Sequence, residues 1–126
     1  MNVFLFEPQF EPLILAGSKD LTIRAPRKDG RPRAEMGDRI SLRVWTGNPY
    51  RSKQREFAQA TTKFVIPVCV GRLEIYRTDL LAEFDRRRIA RADGFPHWLA
   101  MKRWFKRKHG LPFKGVLIHW HNLSPK

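Results

Sequence analysis

Hydrophobic and polar positions alternate most cleanly over Ile40-Ser41-Leu42-Arg43-Val44-Trp45, which puts Ile, Leu and Val on one face and predicts a strand. Gly37-Asp38 before it and Gly47-Asn48-Pro49 after it supply turn chemistry. Leu21-Thr22-Ile23-Arg24 repeats the alternation over a shorter stretch, with Leu and Ile on one face and Thr and Arg on the other. Val3–Phe6 predicts a short strand; Pro8 and Pro12 follow, then a turn or two of helix through Leu13–Ala16 that stops at Gly17. Arg27–Arg33 carries Gly30, Pro32 and four basic residues and reads as a solvated loop. Arg51–Thr62 is polar and reads as a long loop or a frayed helix. Phe64–Tyr76 is β-prone but contains Pro67 and Gly71, which predicts a long strand that bends or bulges.

Helical spacing dominates the following segment. Thr78 or Asp79 is the expected N-cap of a helix over Leu80–Ala92, although Arg87, Arg88 and Arg91 interrupt its apolar stripe. Asp93-Gly94 breaks that helix, and Pro96 opens a second one through Lys108 that ends at Gly110. On the second helix Trp98, Met101, Trp104 and Phe105 share one arc and dock it on the sheet. Lys102, Arg103, Lys106 and Arg107 share the other, with Leu99 as the exception among them. Gly115–His121 predicts the closing strand, with Val116, Ile118 and Trp120 on one face. Four or five strands with helices inserted late make an α+β layout compatible with closure into a small barrel.

At 126 residues the chain is one domain's worth, residues 1–126, without repeats or low-complexity tracts. Charge changes the picture more than size does. Twenty-five Lys and Arg face 12 acids, a formal +13, which favours a polyanionic partner. Eleven of the cations against four acids fall in residues 19–55, and nine against two in residues 84–109. Concentrated charge of this kind suits phosphate contacts, which add affinity without sequence choice. The stripe Lys102, Arg103, Lys106 and Arg107 is the candidate phosphate contact, and Tyr50, Trp45 and Trp98 are candidate stacking faces for unpaired bases. A solvated face on a merely basic protein is the bland alternative for either block. Cys69, the single cysteine, lies in an apolar run, forms no internal disulfide and fits a reducing compartment. The longest apolar run, Phe64–Val70, is too short for a membrane span. No segment pairs a basic face with a free apolar one, so no membrane partner is expected. Glu7, with no Lys or Arg before it, does not fit a secretory leader, and a cytoplasmic location is the expectation. His119 and His121 have ligand-like spacing, but with only His97 and His109 elsewhere and no cysteine pair, neither metal nor cofactor is expected.

Gly17-Ser18-Lys19-Asp20-Leu21-Thr22-Ile23-Arg24 resembles the signature of the ASCH domain family, a branch of the PUA-like superfamily: a Gly, a Lys two positions later, then an acidic or hydroxyl residue and an Arg on the following strand. Gly37-Asp38, Asp93-Gly94-Phe95 and Gly115-Val116-Leu117-Ile118-His119-Trp120 are similar to later landmarks in the same order, so the resemblance spans nearly the whole chain. It implies a PUA-like small β-barrel of about five to six strands with two to three helices covering its ends, and a cleft lined by Lys19, Thr22 and Arg24. It also implies action on RNA or modified nucleosides. Some members resemble amidohydrolases of N4-acetylcytidine and others ribonucleases. Thr22 is closer to the amidohydrolase branch, whose catalytic set of Lys, Thr and Glu corresponds here to Lys19, Thr22 and Asp93, the last one methylene shorter.

The chemistry of those residue types can be stated on its own. Thr is a weak nucleophile and needs a base. Lys19 serves as one only if burial or Arg24 lowers its pKa well below the ordinary lysine value. Arg24 offers a forked donor for a phosphate or carbonyl oxygen, and Asp93 orients the Lys or shuttles a proton. From alternation alone, the trio of Lys19, Thr22 and Arg24 reads first as a solvated sheet face alternating with core Leu21 and Ile23. The expected function is therefore binding of single-stranded or modified RNA in a basic cleft, with no specificity for DNA; the alternative is a hydrolase of the same fold.

Overall fold

The computed structural model describes residues 1–126. Seven strands, β1 (Asn2–Leu5), β2 (Leu21–Arg24), β3 (Arg39–Trp45), β4 (Gln54–Val70), β5 (Ile75–Arg77), β6 (Ala82–Glu83) and β7 (Phe113–Pro125), form one mixed sheet. Three helices accompany it: α1 (Glu11–Leu15), α2 (Arg86–Ala92) and α3 (Trp98–Lys108). β1 runs parallel to β3, and every other pairing is antiparallel. The long β4 is the spine. Its first half pairs with β3, Ala58–Val70 pairs with β7, and its last residues also pair with β5. Register shifts at Leu42/Arg43, Gln59/Thr61 and Thr62/Phe64 mark bulges, which bend strands and curl a sheet. The result is an α+β fold built on a curled half-barrel.

Two apolar clusters follow from the alternation. One gathers Phe4, Phe6, Ile40, Leu42, Val44, Ile118 and Trp120 with Phe10 and Ile14. The other gathers Leu21, Ile23, Val68, Val70 and Leu117 with Ala90, Met101 and Phe105 of α2 and α3. Neighbours on β2 and β7 thus feed opposite clusters, and Leu21 and Ile23 face the helices while Thr22 and Arg24 turn to the other side. Arg24 then spans the sheet's open seam: its Nη2 donates to Leu5 O at 2.7 Å, although β1 and β2 share no backbone pairing.

Three expectations are corrected. Of Arg51–Thr62 only Arg51–Lys53 is loop, and Gln54–Thr62 is the first half of β4. Of its buried residues only Phe57 is large while Ala58, Ala60 and Thr62 are small, so the strand leaves a weak hydropathy signal and is held by partners on both edges. Phe64–Tyr76 is not one strand: β4 ends at Val70, and a turn closed by Gly71 N–H donating to Glu74 O leads into β5. The expected helix over Leu80–Ala92 begins only at Arg86. Its cap is neither Thr78 nor Asp79 but Asp85, whose carboxylate accepts from Arg87 N and Arg88 N at 3.0 and 3.4 Å. Leu80 and Leu81 stay exposed, and Ala82–Glu83 pairs with β5 instead.

The second helix and the closing strand match the pattern. His97 caps α3 by accepting from Ala100 N at 3.1 Å, and Met101 and Phe105 are fully buried while Leu99 is exposed. Trp104 is only half-buried. Phe105 packs on Phe113 and Trp104 at centroid distances of 5.5 and 5.1 Å. Truncating Phe105 to Ala is therefore expected to destabilise the fold by about 3–5 kcal/mol in urea unfolding. A loss below about 1 kcal/mol would show that α3 is not anchored through this ring.

Candidate functional site

The site begins where Gly17, with φ 83°, turns the chain out of α1. Lys19 N donates to Leu13 O, Asp20 N to Ala92 O, and Trp120 N to Asp20 O, so the short link into β2 is pinned to α1, α2 and β7 at once. That pinning drives the Lys19 side chain inward, where the residue is 2% exposed. Asp93 stands at the C-terminus of α2, its N–H bonded to Ile89 O, and is 4% exposed. Gly94 beside it has φ 94°, and a Cβ there would stand 2.9 Å from both the Lys19 stem and the Phe10 ring. Glycine is what lets the turn approach so closely.

Lys19 Nζ donates to Asp93 Oδ1, Asp93 O and Leu21 O, each at 2.7 Å. Three acceptors around one nitrogen fit an ammonium with three protons; a neutral amine would set its lone pair against one of them. The Phe10 and Phe6 rings complete the surroundings at 4.9 and 5.6 Å from Nζ. Burial pushes the Lys19 ammonium below the ordinary lysine range, opposed by Asp93, and pushes the Asp93 carboxyl above the ordinary range, opposed by Lys19.

Thr22, 5% exposed, and Arg24 lie on the cleft side of β2. Thr22 Oγ1 accepts from Arg24 Nε at 3.0 Å. Arg24 lies 4.8 Å from the Phe6 ring centroid and 5.5 Å from that of Phe4. Burial pushes its guanidinium down to about 10, with Asp93 opposing the shift and Arg33 adding to it, so it remains cationic at neutral pH. Lys19, Thr22, Arg24 and Asp93 thus converge on one cleft of about 470 Å³, and the solvated-face alternative for the trio does not hold.

The cleft also takes residues that the sequence pattern did not single out. Trp104 and Phe95 form an aromatic wall with Phe10, their ring centroids 5.7–6.4 Å apart. Trp104 Nε1 donates to Glu7 Oε2 at 3.2 Å, and Lys108 pairs with Glu7 at 3.1 Å. Arg33, from the loop read as solvated, donates through Nε to Ala25 O at 2.8 Å and reaches the cleft. His109 also lines it, its pKa lowered by burial, then by Lys108 and Arg24. Of the expected binding residues Tyr50 lines the cleft, its ring tilted 49° against that of Trp45 with centroids 5.2 Å apart. Lys102, Arg103, Lys106 and Arg107 do not: they lie outside the cleft and make no ion pair. A Trp on a docking arc whose N–H needs a partner, and a cation in the helix's last turn, were the available signals for Trp104 and Lys108. His119 bonds Asp20 through Nε2 at 3.0 Å, His121 is exposed, and Cys69 is buried. No helix is long and apolar enough to cross a membrane.

No family model, no curated protein and no solved structure matches this chain.

The buried pair makes a stability prediction with a defined sign. Lys19→Met strands the Asp93 carboxylate and should cost about 3–5 kcal/mol, whereas the double variant K19M/D93L should recover most of that loss. Asp93, with its folded pKa raised, contributes stability that is present below the ordinary carboxylate pKa and lost as pH rises through the folded value. Lys19, with its folded pKa lowered, contributes stability that is present above the ordinary lysine pKa and lost as pH falls through the folded value. Unfolding across pH should therefore show the double variant gaining most on the wild type between those two ranges. A gain that grows towards either extreme would contradict the assignment.

Proposed function

We propose that the cleft binds one nucleotide of a single-stranded or modified RNA, the base against Trp104, Phe95 and Tyr50 and the phosphate at the guanidinium groups of Arg24 and Arg33. The observation that carries this reading is that both guanidiniums line the cleft without a carboxylate partner. Arg24 uses Nε and Nη2 on Thr22 and Leu5, and Nη1 has no protein acceptor. Half-buried cations left unpaired in a concave, aromatic-walled site are a receptor for an anion carried by a flat group. The formal +13 supports the polymer as partner through long-range attraction. Recognition on this reading selects neither DNA nor a particular sequence. The α3 stripe of Lys102, Arg103, Lys106 and Arg107 contributes outlying phosphate attraction.

A second reading, hydrolysis of an acylated cytidine or of the RNA backbone, is favoured by one observation. Burial pushes both Lys19 and Asp93 towards their neutral forms, the condition under which an amine activates Thr22. Two contacts weigh against it. Lys19 Nζ spends its protons on Leu21 and Asp93, and Thr22 Oγ1 accepts from Arg24 instead of facing the amine.

The test is anisotropy with labelled single-stranded RNA, alongside assays for N4-acetylcytidine deacetylation and RNA cleavage. A hydrogen bond to a charged group contributes about 1.5–3 kcal/mol, so Arg33→Gln and Arg24→Lys should each weaken RNA binding about tenfold or more. Arg33→Gln leaves the strand seam intact, and Arg24→Lys keeps the charge but loses the fork. Wild-type protein should turn over neither substrate. Affinity indifferent to both variants would refute the binding reading, and turnover lost in Thr22→Val would establish the hydrolase.

A further inference from the structure

We infer that a second cavity, walled by Arg86, Arg87, Arg91, Pro96, His97 and Trp98, takes the phosphodiester next to the nucleotide held in the cleft, so that the ligand is a strand and not a free nucleoside. The inference rests on the nucleotide reading of the cleft. The cavity, about 330 Å³, has three guanidiniums, an imidazole and an indole in its wall and no carboxylate. Arg86 is committed in part: Nη1 donates to Leu73 O, and its guanidinium lies 5.8 Å from the Trp98 ring centroid. The side chains of Arg87 and Arg91 make no ion pair. Asp85, the acid nearest in sequence, directs its carboxylate to the N–H groups of Arg87 and Arg88 as the cap of α2. Charge in this cavity is therefore uncompensated within the fold.

Geometry ties the cavity to the cleft. Asp93 and Phe95 line the cleft, while Pro96, His97 and Trp98 line the second cavity, so a single turn walls both. Phe95 lines the cleft and the next residue, Pro96, lines the second cavity, so adjacent residues of one turn reach both. Trp98 is half-buried and faces Arg86, which makes it a platform for a second base while the arginine forks hold the phosphate between. A free nucleoside fills one cavity only; a chain of two or more nucleotides engages both.

The experiment compares a labelled uridine dodecamer with uridine 5′-monophosphate on wild type, R87Q/R91Q and the equal-charge control K63Q/K114Q. Arg87, Arg91, Lys63 and Lys114 are all exposed. R87Q/R91Q should weaken the dodecamer about tenfold and lower the slope of log affinity against log salt by about 0.7, the value of one single-strand phosphate contact. Monophosphate affinity should stay within about twofold, and the control should lose less dodecamer affinity than R87Q/R91Q. If R87Q/R91Q misfolds, R87K/R91K carries the test: it keeps the charge, loses the forks and should still weaken the dodecamer more than the control does. Dodecamer loss no greater than the control's overturns the inference and leaves the cleft reading standing. Wild-type protein that binds neither ligand overturns the cleft reading, and this inference with it.

Discussion

Everything near the cleft depends on the buried contact between the Lys19 ammonium and Asp93. Two ions withdrawn from water at this depth lose several kcal/mol of hydration each, and their attraction offsets that only when the remaining donors and acceptors are also used. Here they are: the third and second protons of Lys19 go to Leu21 O and Asp93 O. The contact therefore joins three parts of the chain, the link out of α1, the start of β2 and the end of α2. Its net contribution to stability is modest, but losing either partner is expensive, which fixes the geometry more firmly than an apolar contact of equal size would.

What the pair fixes is the placement of unlike groups. Pulling the α2 terminus onto β2 brings the Asp93–Trp98 turn against the sheet edge, which sets Phe95 and Trp104 opposite Thr22 and Arg24. Arg24 then has a structural contact on one side and the cleft on the other. It bridges the seam between β2 and β1 through Leu5 O and keeps a free face towards the cleft. A guanidinium suits that position because it stays charged when half-buried and offers donors in several directions.

Legibility in the sequence followed the strength of the local signal. The alternation in Leu21–Arg24 and Ile40–Trp45 set which side chains face which layer, whereas Lys19, Thr22 and Arg24 with Asp93 were pointed to as a cleft by the resemblance alone, spacing by itself leaving the first three as a solvated sheet face. The first half of β4 was hidden because Ala58, Ala60 and Thr62 are small enough to look polar in aggregate, and because its pairing with β3 and β7 is non-local. The start of α2 was misplaced because Leu80 and Leu81 look like a helical stripe yet have no layer to cover. Arg33 was hidden for a related reason: only tertiary structure brings a Gly- and Pro-rich loop back over a cleft. The α3 cations were legible as a stripe, but a stripe does not report which side of the helix the cleft occupies.

The account's central claim is that the Lys19–Asp93 contact builds a receptor for a nucleotide. Backbone amide chemical shifts, recorded while a short single-stranded RNA is titrated into the protein, test it most directly. The account predicts shifts concentrated in residues 19–24, 93–98 and 104–109 and at Arg33 and Tyr50, with little change in residues 54–62 of β4. Shifts scattered over the basic surface, or centred on residues 54–62 while 19–24 and 93–98 stay still, would contradict it.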